Sequence, residues 1–182
     1  MTTSLESRIH AELAWTWRDQ IGAAPIVFSN RLRSVENLAD GSGDEQADAV
    51  WFAQDQILPA GQSTTFDLDM LDQSMFGDTI TIAMERVKGL LIVNKNTTTT
   101  AYLLAGGAAV DPWVGPFGSA GDTVKVMPES PLLLANVHQG WDVGVGNSGL
   151  KIAAVGGVVT FDIAVLGTLA DEFSTSSSSS GS

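Results

Sequence analysis

His10 and His138 are the only histidines in the chain, so acid–base chemistry near neutral pH would have to begin with one of them. A Ser-His-Asp arrangement needs a nucleophile on one side of the imidazole and a carboxylate on the other. No Gly-x-Ser-x-Gly segment supports either residue. His10 falls in an N-terminal arm and His138 in a turn before Gly140-Trp141, where a solvated or hydrogen-bonded ring is the ordinary reading. Zinc needs clustered His, Cys or carboxylate ligands, and two distant histidines with no cysteine do not make such a set. Calcium is better served by Asp40-Gly41-Ser42-Gly43-Asp44-Glu45 with Asp48, which places hard oxygens on a glycine-rich loop. The spacing is not that of a twelve-residue calcium loop, and a turn of solvated acids accounts for it equally well. Asp67, Asp69 and Asp72 raise the paired-carboxylate chemistry of glycoside hydrolysis. The alternating Phe66-Asp67-Leu68-Asp69-Met70 already explains Asp67 and Asp69 as the exposed face of a strand. Leu104-Ala105-Gly106-Gly107-Ala108-Ala109 lacks the Lys-Ser/Thr pair and the following helix of a phosphate loop. The residues therefore predict no catalytic site, no cofactor and no bound metal, and the chain reads as a non-enzyme.

The tryptophans carry more information. Trp51 and Trp141 lie in strand patterns and are expected in the core. Trp113 lies in Asp111-Pro112-Trp113-Val114-Gly115-Pro116-Phe117, a loop with two prolines, which makes Trp113 and Phe117 candidate contact residues. Trp15 and Trp17 lie on the arm, outside the main β unit. With Ile9, Ala11 and Leu13 they form an alternating apolar face that needs a partner, so they are also interface candidates.

Charge excludes several partners. The 182 residues carry a formal net charge of −12, and only 16% are charged, against about 25% in an average soluble domain. No basic cluster exists to displace counterions from phosphates or to hold an anionic membrane, so nucleic acid and membrane are excluded as partners. No run approaches the roughly 18 apolar residues of a spanning helix, and the N-terminus lacks the basic-then-apolar order of a secretory signal.

The elements that must position these residues read as all-β. Residues 1–30 form the arm. It fits strand spacing (Ile9, Ala11, Leu13, Trp15, Trp17) and also helix spacing (Leu5, Ile9, Leu13, Trp17), with the aromatics favouring strand. Pro25 is expected to end that segment, with a short apolar run Ile26-Val27-Phe28 after it. Residues 31–49 are expected to be a connecting loop, dense in turn formers around Asp40. Residues 50–168 predict a β-sandwich of eight to ten strands, a jelly roll being one form of it. The strands are placed at 50–57, 63–70, 79–88, 90–94, 99–105, 123–127, 132–136, 141–145, 150–155 and 158–166, separated by regular Gly, Pro and Asn punctuation. Residues 169–182, ending in a serine run, predict a disordered, flexible tail.

Leu38-Ala39-Asp40-Gly41-Ser42-Gly43 with Gln46-Ala47-Asp48, Leu58-Pro59-Ala60-Gly61, Phe66-Asp67-Leu68, and Phe76-Gly77-Asp78-Thr79-Ile80-Thr81 leading into Arg86-Val87-Lys88-Gly89-Leu90 together form a pattern. Trp113-Val114-Gly115, Thr123-Val124-Lys125-Val126-Met127-Pro128 and the closing Thr160-Phe161-Asp162-Ile163-Ala164-Val165-Leu166-Gly167 continue it. Over residues 30–168 the chain resembles a family of small virion structural proteins of tailed phages and prophages. It departs from that pattern at Asp44-Glu45, where small uncharged residues are commoner. The arm and the serine tail lie outside the pattern.

The resemblance implies a structural virion component, assembled in the host cytoplasm. The first expectation is a capsid decoration or cement protein on the outside of the head, bound to the major capsid protein or other virion proteins and itself a homo-oligomer, a trimer favoured. The alternative is a tail, baseplate or fibre-associated protein with host-receptor contact. An enzyme such as a glycosidase is the third.

Overall fold

The computed structural model describes residues 4–21, 24–75, 78–108 and 110–170, and every regular element among them is a β-strand. The chain opens with two 15-residue strands, β1 (Ser7–Ile21) and β2 (Ala24–Leu38), paired with each other alone. The body follows as two main antiparallel sheets. The first runs β10 (Pro131–Ala135), β7 (Met84–Asn94), β13 (Val159–Leu169), β3 (Ala49–Leu58), with β11 (Trp141–Asp142) also on β7. The second runs β4 (Ser63–Asp67), β12 (Gly149–Val155), β8 (Tyr102–Gly106), β9 (Thr123–Val126), and a separate ribbon pairs β5 (Leu71–Met75) with β6 (Asp78–Ile82).

The sandwich follows from alternation. Trp51, Val165 and Leu90 are aligned across β3, β13 and β7, and all three are buried. Ile163 stands beside Ile92 one row on. Against these pack Leu103 and Ala105 of β8 and Leu150, Ile152 and Ala154 of β12, all in one apolar cluster. Each fully buried Leu or Ile contributes roughly 1.5–3 kcal/mol.

Asn94 is the polar tie in this core. Wholly buried, its Nδ2 donates to Ala101 O and Val126 O, both at 3.2 Å, and its Oδ1 accepts from the Asn96 amide at 3.1 Å. Opposite Asp162 the β3–β13 register slips, and Asp55 takes a φ of 52°. The strained turn is held by the Asp162 carboxylate, which accepts from the Asp55 amide at 2.8 Å, and by Lys95, which reaches Asp55 at 2.6 Å. Gly156 turns β12 into β13 with a φ of 79°, where a Cβ would fall 2.0 Å from Thr100 O.

The all-β expectation holds, and the arm is a strand, not a helix. Four local expectations are corrected. Residues 31–38 are not loop: β2 runs through them, because β1 supplies an unbroken partner from Ser7 opposite Leu38 to Ile21 opposite Ala24. Pro25 likewise does not end the arm: it is the second residue of β2, which begins at Ala24. The strand placed at 63–70 stops at Asp67, where Met70 N turns back onto Asp67 O at 3.0 Å. The strand placed at 79–88 is two strands. Backbone pairing changes hands there, with Met84 N bonding to Leu68 O and Ala170 N to Ala83 O. From Ala49 onward eleven strands are present among the described residues. The expected flexible serine tail from Ser174 lies outside the described residues.

Candidate assembly surface

The β1–β2 hairpin is an amphipathic ribbon. Directly paired residues share a face in an antiparallel ladder. One face carries Ile9, Ala11, Leu13, Trp15 and Trp17 from β1, with Leu32, Phe28 and Ile26 from β2; Asn30 and Ser34 lie among them, and Asp19 and Glu36 stand toward its two ends. Leu13 stands opposite Leu32 and Trp17 opposite Phe28. The other face carries Arg8, His10, Glu12, Ala14, Thr16 and Arg18, with Val35, Arg33, Arg31, Ser29 and Val27 across from the last five in turn. That polar face is zipped by its own pairs: Thr16 Oγ1 to Ser29 Oγ at 3.0 Å, Arg33 to Glu12 at 3.9 Å and His10 to Glu12 at 3.6 Å.

The apolar face is bare in the single chain. Leu13 is 67% exposed, Trp17 71% and Leu32 72%, while Trp15 and Phe28 are also exposed. At about 3.3 Å per residue the ribbon is roughly 50 Å long, so its outer part lies beyond the reach of its own body. The base is anchored. Leu5 N donates to Asp40 Oδ1 at 2.9 Å, Leu38 is buried, and Ile9 rests on Gly89 of β7.

The loop after the hairpin is a clamp. Lys88 is wholly buried, and its Nζ donates to Gly43 O at 3.3 Å and to His138 O. Burial pulls the Lys88 pKa down; the nearby Asp44 carboxylate opposes the shift and Arg86 adds to it. Asp44 itself pairs with His138 at 3.3 Å, Gln46 Oε1 accepts from Gly43 N at 2.9 Å, and Asp48 Oδ1 accepts from Leu169 N at 2.8 Å. The acids weighed for calcium thus point to three different partners. No group of three His, Asp or Glu that could hold a metal occurs among the described residues. His10 lies on β1 beside Glu12, and His138 in the loop before β11 beside Asp44.

Asp67 and Asp69 do meet, but in the turn that ends β4. The Asp69 pKa is raised by burial, then by a hydrogen bond and charge repulsion from Asp67, with a smaller push from Asp111.

Trp113 does not face outward. It is 2% exposed, its Nε1 donates to Asp142 O at 3.1 Å, and its ring meets Phe117 and Trp141 edge-on at 6.0 and 6.1 Å. The loop that was expected to offer Trp113 and Phe117 to a partner folds them onto the core, because a tryptophan ring with a nearby carbonyl for its N–H is more stable inside than in water. Trp15 and Trp17 remain on the surface. Compared with protein families, curated proteins and solved structures, the chain matches none.

Two sets of surface residues were missed in the sequence. Ile26, Phe28 and Leu32 complete the hairpin's apolar face; their even spacing was the available signal. The second set is a row across the outer face of the first sheet. Leu133 pairs with Leu91, Leu91 with Ala164 and Ala164 with Phe52, and all but Ala164 are exposed.

Proposed function

We propose that this chain is a structural protein of a tailed-phage virion, a capsid decoration protein that attaches through its N-terminal hairpin. The observation that carries the assembly role is the bare apolar face of Leu13, Trp15, Trp17, Phe28 and Leu32 on a ribbon set out from a well-packed sandwich. An exposed apolar surface of that extent marks a docking site, and paired aromatics are the usual anchors of such sites. The virion setting rests on the family resemblance over residues 30–168. Symmetric repetition on a shell multiplies a modest contact per copy.

The test has two parts. Mass spectrometry of purified particles should find the chain at hundreds of copies for a head protein; tens or fewer would move it to the tail. The full chain carrying Leu13→Ser, Trp17→Ser and Leu32→Ser should fold with an unchanged melting temperature and fail to enter particles. Normal incorporation of that variant sinks the assembly role of the hairpin.

A further inference from the structure

We infer that the hairpin of one copy seats on the outer face of the β10-β7-β13-β3 sheet of a second copy, against the row Leu133, Leu91, Ala164 and Phe52. This rests on the hairpin being the docking element and adds the identity of its target.

Three observations select a second copy. The first is a bare receiving face. Strands β10, β7 and β13 are apolar on both sides: Leu90, Ile92, Ile163 and Val165 fill the core, while Leu91, Leu133 and Ala164 look outward. The outer face of an antiparallel sheet is ordinarily polar where it meets water, so an exposed apolar row on it marks a contact surface. The second is continuity. The hairpin's own Ile9 already lies against Gly89, in a groove lined by Val50, Leu91, Leu133 and Leu166. Gly89 is two residues from Leu91, so the chain covers the margin of the face with the base of its own apolar ribbon and leaves the next row open. A second ribbon laid beside the first extends the same contact. The third is charge. The hairpin, residues 7–38, carries four arginines against three acids, whereas residues 39–182 carry five Lys and Arg against seventeen acids. Two bodies repel, and the hairpin, close to neutral, adds little to that repulsion; its four arginines lie on the ribbon's polar face, away from the sheet it would cover.

The areas agree. A two-stranded ribbon roughly 50 Å long and about 10 Å wide offers about 500 Å² of face. The anchored base takes no part, so reciprocal seating of the remaining roughly 40 Å of two ribbons on two sheets covers about 1,600 Å², the size of a standard stable interface.

The experiment measures self-association of the full chain by sedimentation, beside particle incorporation. Leu91→Asp, with Leu91→Thr as a milder companion, alters the receiving row from outside the core; Trp17→Ser alters the ribbon. Each should weaken self-association at least tenfold with the melting temperature held. Mixing Leu91→Asp with Trp17→Ser should restore part of it, since one intact ribbon then meets one intact sheet. Self-association unchanged by Leu91→Asp overturns the inference. If Trp17→Ser still blocks incorporation in that case, the hairpin docks on another virion protein and the assembly role stands; if it does not, both fall. A chain that stays monomeric and binds neutral lipid vesicles through Trp17 also overturns it.

Discussion

Ile9 and Gly89 meet where the ribbon joins the sandwich: a Cβ built on residue 89 would stand 3.0 Å from the Ile9 Cδ1. The glycine is sheet backbone of β7, so a side chain there is tolerated by the strand and meets Ile9 first, with Leu166 Cβ next at 3.7 Å. Gly89→Val should therefore leave the body folded at a cost of about 1–3 kcal/mol for overpacking a buried site. Amide hydrogen exchange should rise at residues 7–9, and intact protection there would show that Ile9 does not seat the ribbon.

Asn94 should be among the least replaceable polar residues. Asn94→Leu strands two buried carbonyls and the Asn96 amide, at a cost of about 2–4 kcal/mol. Asn94→Asp turns a carboxylate toward two carbonyl oxygens and should cost more at neutral pH than at pH 3. Urea unfolding at the two pH values checks the order.

Lys88 supplies a pH test with a definite sign. Its folded pKa lies below the 10.5 of the unfolded chain, so between the two values the unfolded state holds the extra proton. Stability contributed by this site then rises with pH across that window. The neutral amine keeps enough protons to serve Gly43 O and His138 O. Lys88→Met should cost about 1–3 kcal/mol through those two carbonyls, and the gap between wild type and variant should widen as pH climbs toward 10.5. A gap that narrows would refute the buried-amine account.

Trp113→Phe loses the hydrogen bond to Asp142 O and part of two edge contacts, and should destabilise by about 1–3 kcal/mol without weakening self-association. A weakened oligomer with unchanged stability would return Trp113 to the interface.

Asp69→Asn removes one member of a repelling pair. The folded pKa is raised above 3.8, so the group's cost is absent below the unfolded value and grows as pH rises through the folded one. The variant should melt on the order of a degree higher at pH 7, a small effect because solvent screens the pair. The difference should vanish at pH 3.

Much of this was legible in the sequence where alternation is strict. Ile9 to Trp17 gave β1, and Val159 to Val165 gave β13, because a half-buried strand writes its face at period two. At residues 31–38, Arg31, Arg33 and Ser34 suggest loop; Arg31 and Arg33 are polar because they lie on the ribbon's charged face, Ser34 stands opposite Ala11 on the other face, and pairing with β1 makes all of them strand. The outer row of Leu91 and Leu133 was hidden for the opposite reason. Runs such as Leu90-Leu91-Ile92-Val93 look simply buried until the register separates the two faces. Trp113 was misplaced because prolines mark a loop but not which way its aromatic turns.

The hairpin is also a mechanical part. β1 and β2 have equal length and pair without a slip from base to tip. A load between a partner at the outer end and the body at the base therefore runs along two nearly extended backbones in parallel. Extended strands hold no slack, so such a strut lengthens little before covalent geometry resists. Hydrogen bonds between the strands keep the two backbones together and are not peeled one at a time. A particle linked this way would have its spacing set by a stiff tie about 50 Å long, and softness would appear at the anchoring loop around Lys88 before it appeared in the ribbon.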